Sequence, residues 1–372
     1  MTSIIYVGMD VHTTNYTLCC YSMEDDRFFA EVQVEPDVKN ILKYLARIEK
    51  QQSRDCRIVC GYEAGCLGYS LYHQLHTHGI DCVILAPTTM MTKPGKRIKT
   101  DRRDARLISK CLAFHTYSPV YIPTEVDDAV KEYIRMRDDA SSALARVKQQ
   151  IIAFCIRHGK IHDGKSYWTN KHLEWLSSLD LGNKILSEVL QEYLIRYYQL
   201  REQVDMYDMR INELAQAEPY RQKVEKLGCF RGIAAHTALS FCVEVGDFRR
   251  FATAQQFASY LGLVPGECSS GDKQQYTGIT KAGNSHLRKL LVETAQVFGR
   301  SATKSGKSVA LKERQAKCDS LTVAYADKAN ARLKKKYFKI AMRSKVNIAK
   351  TAVAREMACF IWGMMTDNIS CA

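Results

Sequence analysis

The sequence predicts an α/β domain at the N-terminal end, a long helical region after it, and a mostly helical C-terminal domain. Three observations carry this. Short β-branched runs alternate with helical stretches over the first hundred-odd residues; the middle holds an unbroken apolar heptad; helix-period patterning runs from about residue 224 onward. At 372 residues the chain exceeds the ~250–300 that one core usually reaches. We expect domains at 1–123, 124–223 and 224–372.

"SIIYVGMDVH" is rich in β-branched residues and ends near Asp10; "YTLCCYS" and "FFAEVQVE" follow after polar turns, as three strands joined by hairpins. A helix is predicted from Asp37 to Lys50, then a strand, "RIVCGYEA", ending near Glu63. "LGYSLYHQLHTHG" is a helix that stops at Gly79, and "DCVILAP" is a fifth strand closed by Pro87. After a basic loop, "TDRRDARLISKCLAF" reads as a helix with Thr100 as its N-cap. Three antiparallel strands followed by alternating helices and strands is the order of a ribonuclease-H-like domain. Farther on, Leu190, Tyr193, Tyr197, Leu200, Val204, Tyr207, Ile211 and Leu214 alternate steps of three and four, a coiled-coil seam that Pro219 ends. The upstream helix "VKEYIRMRDDASSALARVKQQIIAFCIRHG" offers a partner within the chain, and a second copy offers one between chains. From Val224 helices resume, interrupted by "GLVPGECSSGDKQQYTGITKAGN", and the chain closes with lysine-rich and apolar helices.

Lys and Arg outnumber Asp and Glu by 54 to 40, a net charge of +14, which favours a polyanionic partner because each neutralised phosphate releases a counterion. The excess is concentrated after Gly299 and at Lys93–Arg106. Fourteen cysteines without a C-x-x-C pair read as small buried hydrophobes in a reducing compartment. No basic leader precedes the first strand and no apolar run reaches ~18 residues, so a cytoplasmic protein without a membrane partner is expected.

Asp10 and Glu63 end two strands that lie side by side in a ribonuclease-H-like sheet, and Asp101 and Asp104 share one helix face at i and i+3. Four carboxylates stay ionised together only beside cations, and hard Mg²⁺, as two ions, suits a site completed by substrate phosphate. Lys96, Arg97, Lys99, Arg102 and Arg103 ring the aspartate pair with positive charge suited to a polyanion. Near the other end, Ser269 and Ser270 precede Gly271 in a loop whose glycines allow close phosphate approach, with Lys273, Lys281 and Arg288 as phosphate contacts. No local triad activates either serine. Upstream, a turn at Gly232 is placed to offer backbone N–H groups to a DNA phosphate at a helix start.

Taken together, "YVGMDVH", "GYEAG", "KTDRRDA" and "GLVPGECSSGDKQQYTGITKAGNSHLRKLL" resemble the DEDD transposases of the insertion-sequence-110 family, the bridge-RNA-guided recombinases. The resemblance implies a Holliday-junction-resolvase-like (RuvC-like) domain with Asp10, Glu63, Asp101 and Asp104 as the catalytic metal tetrad. It also implies a C-terminal transposase domain in which Ser270, with Ser269 as the alternative, attacks DNA to form a phosphoserine link. Partners implied are donor and target DNA, a structured noncoding guide RNA, and further copies of the chain as a dimer or tetramer. "RGIAAHTA" lacks the second glycine often found in that family's turn. Two other readings stand beside this one: a junction-resolving nuclease that uses only the carboxylates and water, and a non-catalytic nucleic-acid-binding protein.

Overall fold

The computed structural model describes residues 3–51, 56–65, 67–90, 100–267, 276–300 and 306–369. The chain divides into two compact units, Met1–Ile122 and Pro123–Ala372.

The first unit holds β1 (Ser3–Val11), β2 (Tyr16–Ser22), β3 (Arg27–Val34), α1 (Val38–Gln51), β4 (Cys56–Glu63), α2 (Ser70–Thr77), β5 (Asp81–Leu85) and α3 (Asp101–Ala113). The strands form one sheet in the order β3-β2-β1-β4-β5. β1 pairs antiparallel with β2 and parallel with β4. The central strand β1 is buried from Ile5 to Met9, consistent with its near-continuous apolar run. Because side chains alternate along a strand, each face of the sheet has its own cover. Ile5, Val7 and Met9 pack with Ile41, Leu45, Ile48, Leu71 and Leu75 of α1 and α2. Tyr6 packs on the other side with Ile108, Cys111 and Leu112 of α3. Gly79 has φ +74°, the left-handed conformation expected just past a helix end. Thr100 precedes α3 with extended backbone, but its hydroxyl makes no capping bond; its carbonyl instead accepts from the N–H groups of Arg103 and Asp104.

The second unit holds α4 (Glu125–Arg157), α5 (Asn170–Ser177), α6 (Lys184–Gln216), α7 (Arg221–Gly228), α8 (Ala235–Val245), α9 (Ala254–Tyr260), β6 (Pro265–Glu267), β7 (Tyr276–Ile279), α10 (Ser285–Ala295), α11 (Val309–Gln315), α12 (Ser320–Ala341) and α13 (Val346–Met365). Thr124 and Asn183 start the two longest helices by accepting from the backbone N–H groups of Asp127 and of Ile185 and Leu186. α4 and α6 pack antiparallel: Tyr133 meets Tyr207 near one end and Phe154 meets Tyr193 toward the other. The heptad seam of α6 thus finds its partner within the chain. Leu190, Tyr197, Val204 and Ile211 are buried, and Tyr193, Leu200, Tyr207 and Leu214 are half-buried. α13 is the apolar centre of the C-terminal part, with Ala349, Val353, Met357 and Ile361 fully buried. The short antiparallel pair β6–β7 was not anticipated from the sequence; the serine loop joins its strands. Among the described residues no helix is long and apolar enough to cross a membrane, and eleven cysteines are free thiols.

Candidate functional site

The parallel register of β1 and β4 runs to Met9 opposite Tyr62. Asp10 and Glu63 follow one residue later, at the same end of neighbouring strands. Both lie two residues past a glycine, Gly8 and Gly61, so all four positions share the face that α3 covers. The glycines set how close that helix comes. A Cβ on Gly8 would lie 2.1 Å from the Ala105 carbonyl oxygen and 2.3 Å from the Ser109 nitrogen. A Cβ on Gly61 would lie 2.8 Å from a Leu112 methyl. α3 therefore rests directly on sheet backbone, and its first turn, with Asp101 and Asp104, is directed to the end of the sheet where Asp10 stands.

Ligand atoms of Asp10, His12 and Asp101 all lie within 4.8 Å of one another. Burial pushes the Asp10 carboxyl above its usual range; His12 opposes this, while Asp104 and Asp101 repel its charge and push it further up. The Asp10 side chain is only 14% exposed, and its buried Oδ2 has no hydrogen-bond partner. His12 Nε2 lies 3.3 Å from that oxygen, at ion-pair distance but out of hydrogen-bond alignment. An orphaned carboxylate oxygen beside further acids is a donor set that fits a hard divalent cation. Glu63 is half-buried at the neighbouring strand end, and Asp104 sits one turn along α3; neither belongs to the 4.8 Å set. His12 escaped the sequence reading. An Asp-x-His pattern at a strand end was its signal, since alternate residues share a face.

Of the basic residues around the aspartates, Lys96, Arg97 and Lys99 lie outside the described residues. Arg102 and Arg103 are exposed on α3. Arg102 Nε lies 3.6 Å from Glu31 of β3, while Arg106 holds the same carboxylate at 2.6 Å.

Ser269, Ser270 and Lys273 also lie outside the described residues. The base of their loop is clamped. A Cβ on Gly262 would lie 2.1 Å from the Ala282 carbonyl oxygen, and one on Gly283 2.0 Å from that of Tyr260. Arg288 donates from Nη1 to the carbonyls of Leu261 and Ala282 at 3.0 and 2.9 Å, so this predicted phosphate contact spends a guanidinium nitrogen on the loop base. Lys281 is exposed, with φ +56°.

Beside this base lies a charged network that sequence reasoning missed. Asp138 of α4 meets His286 Nε2 of α10 at 2.8 Å and His236 Nε2 of α8 at 2.9 Å. Glu244 lies 3.5 Å from His286 Nδ1 and accepts from Asn284 Nδ2 at 2.9 Å. Burial opposes a charge on His286, but Asp138 and Glu244 together lift its pKa to about 9. Burial would raise Asp138, yet His236, His286 and Arg137 hold it far below the carboxylate range. Gly232, with φ +87°, lines a cleft of about 440 Å³ with Arg137, Asp138, His236 and Lys289. A Cβ there would lie 2.7 Å from Val297 and 2.9 Å from Thr294, which line the same cleft, so the turn is packed against one of the cleft's own walls.

A family model described as the transposase IS116/IS110/IS902 family matches residues 225–314, and a second, described as a transposase of the DEDD type, matches residues 7–156. The transposase for insertion sequence element IS1533 of Leptospira borgpetersenii is 32% identical over 90% of this chain and 95% of its own length. A Sinorhizobium fredii protein named as a transposase, y4qE, is 36% identical over 82% of this chain and 75% of its own length. The transposase for insertion sequence element IS1111A of Coxiella burnetii is 26% identical over 68% of this chain and 71% of its own.

Proposed function

We propose, for a chain that belongs to the IS116/IS110/IS902 family of transposases, that it cuts and rejoins donor and target DNA through a phosphoserine link under the guidance of a structured noncoding RNA. The observation that carries the proposal is the buried Asp10 oxygen, without a hydrogen-bond partner, that stands with His12 and Asp101 at the end of the sheet. A polyanion-handling protein gains nothing from acids crowded there unless cations join them. The strand order β3-β2-β1-β4-β5 supports a ribonuclease-H-like, resolvase-type domain.

Asp10, Glu63, Asp101 and Asp104 would hold the cation, and their hard oxygens favour Mg²⁺, as a pair of ions. Bound there, it supplies charge neutralisation and Lewis acidity at the scissile phosphate. The chain's own residues do the rest. Ser270 Oγ, with Ser269 as the alternative, forms a bond to phosphorus as the bond from phosphorus to the sugar oxygen breaks. The seryl proton leaves and the departing sugar oxygen takes one up; rejoining reverses both, so no external energy source is consumed. Arg102, Arg103, Lys281 and the Gly232 turn serve as phosphate contacts, with Lys96, Arg97, Lys99, Lys273 and Arg288.

In this reading 1–123 is the metal domain, 124–223 the helical region and 224–372 the serine domain. Ile195, Tyr198, Met206 and Met209 are exposed on α6 and repeat at helical spacing away from α4. They support coiled-coil contacts between copies, as a dimer or tetramer.

The test is a denaturing gel of the enzyme with labelled donor DNA, guide RNA and Mg²⁺. Wild type should yield a covalent protein–DNA adduct that Ser270→Ala abolishes while guide-RNA affinity is unchanged. An adduct that survives in Ser270→Ala and vanishes in Ser269→Ala moves the nucleophile by one residue. Free cut ends with no adduct in any variant would sink the serine step and leave a carboxylate nuclease.

A further inference from the structure

The lysine-rich segment that the proposed chemistry leaves idle becomes an ordered surface in the structure. α12 buries Tyr325, Ala326, Ala329, Leu333 and Tyr337. About a third of a turn from that seam, Lys328, Arg332, Lys335 and Lys339 follow one another at steps of four, three and four, so they share one helix face. All four are exposed, and Arg343 follows in the turn after the helix. The row extends ~17 Å along the axis at 1.5 Å per residue.

Its charge is cancelled locally only at Arg332. Asp327, the one acid on α12, meets Lys307 and Gln315. Glu356 of α13 holds Arg332 together with Lys336. Among the described residues, Lys328, Lys335, Lys339 and Arg343 form no ion pair with an acid. Folding does not require these cations to stand together, because the buried side of α12 is already satisfied by α13. Like charges at helical spacing repel one another, a modest cost that an anionic partner removes.

We propose that this row on α12 is a docking surface for the sugar-phosphate backbone of duplex DNA. A duplex carries one negative charge per ~1.7 Å of axis, so a ~17 Å row spans roughly ten phosphates. The row has no exposed aromatic ring for stacking unpaired bases, which favours a paired helix over a single strand. The inference draws on the transposase reading only in choosing DNA over RNA. It does not depend on the phosphoserine step.

The experiment uses the full-length protein in EDTA, so that binding is read without cutting. Fluorescence anisotropy follows a labelled 30-base-pair DNA duplex and, separately, an RNA hairpin of equal paired length over a range of salt concentrations. The variant is Lys328→Gln, Lys335→Gln, Lys339→Gln and Arg343→Gln combined, which spares the paired Arg332. A charge-matched control replaces exposed Lys165, Lys171, Lys184 and Lys312 with Gln. The expected result is a loss of DNA affinity of at least tenfold and a salt slope shallower by about 0.9 for each phosphate contact removed. An unchanged melting temperature and a control that binds as wild type complete that result. The proposal is overturned if the slope and affinity for DNA do not change. It is equally overturned if the control loses as much as the variant, or if only RNA binding falls. Should the variant melt early, single Lys335→Gln and Lys339→Gln proteins must each lower the slope by about one, or the surface is not used.

Discussion

Gly8 carries no side chain because the backbone of α3 already occupies the place one would take, 2.1 Å from where its Cβ would sit. Carbonyl and amide atoms of a helix cannot swing aside as a side-chain tip can. Gly8→Ala should therefore lift α3 and carry Asp101 and Asp104 away from Asp10. We expect a stability loss of ~1–3 kcal/mol by overpacking and a divalent-cation affinity at least tenfold weaker, read by chemical denaturation and calorimetric titration. Unchanged cation affinity would detach the tetrad from this contact. Asp10 behaves in the opposite way. Burial and two neighbouring aspartates already strain its charge. Asp10→Asn should hold or raise the melting temperature of the cation-free protein while abolishing the rise that Mg²⁺ gives wild type. A large fall in the cation-free protein would mark Asp10 as structural. His12 brings an imidazole nitrogen to an otherwise oxygen-rich set, and imidazole suits transition metals better than Mg²⁺. His12→Ala should weaken Mn²⁺ binding severalfold more than Mg²⁺ binding; equal losses would leave His12 without a ligand's role.

The long α4–α6 hairpin is pinned by one bidentate pair, Arg137 to Asp208, at 2.7 and 2.9 Å. Removing Asp208 leaves the half-buried guanidinium with Asp138 as its remaining carboxylate, so Asp208→Ala should cost ~1–3 kcal/mol, measured by urea unfolding; a change within error would reassign the hairpin's stability to its apolar seam. Where α4, α8 and α10 meet, His286 sets a pH dependence of definite sign. Its folded pKa, near 9, exceeds its unfolded value, so its contribution is complete below ~6.5 and disappears as pH rises to about 9. Asp138 and Glu244 are shifted down, so theirs exists above ~4 and is lost as acid protonates them. A melting temperature that falls between pH 6.5 and 9 in wild type, and falls less in His286→Gln, is the expected outcome. At this scale the sequence was partly transparent. Strands and their terminal acids showed through alternation, and the α6 seam through its heptad, because both periods are written locally. The β6–β7 pair was not visible, since strands of three and four residues are too short to display a period. The Asp138–His286 contact joins positions 148 apart on two helices that each read as ordinary amphipathic surface. His12 gains meaning only from where α3 comes to rest. The serines of the loop lie beyond the described residues, so their role rests on the family pattern.

The chemistry proposed above is divided unequally between the two units. Asp10, His12, Glu63, Asp101 and Asp104 all fall within Met1–Ile122, and both serines fall within Pro123–Ala372. The sheet and its helices supply the first unit's packed core from its own residues. We expect 1–122 expressed alone to melt cooperatively and to bind divalent cations as the full chain does, while forming no DNA adduct. An unfolded fragment would show that the second unit is needed for the first to hold its shape. The cysteines of that sheet have a practical consequence. Cys19 and Cys82 are pushed by burial to about 12, and Cys20 to about 11, so almost none is thiolate at neutral pH. Cys19 and Cys20 expose no surface, so iodoacetamide can reach them only in chains whose strands have parted. The pace at which these sulfurs become alkylated is therefore a clock for opening of the sheet that seats the tetrad, readable by mass spectrometry without any probe being attached.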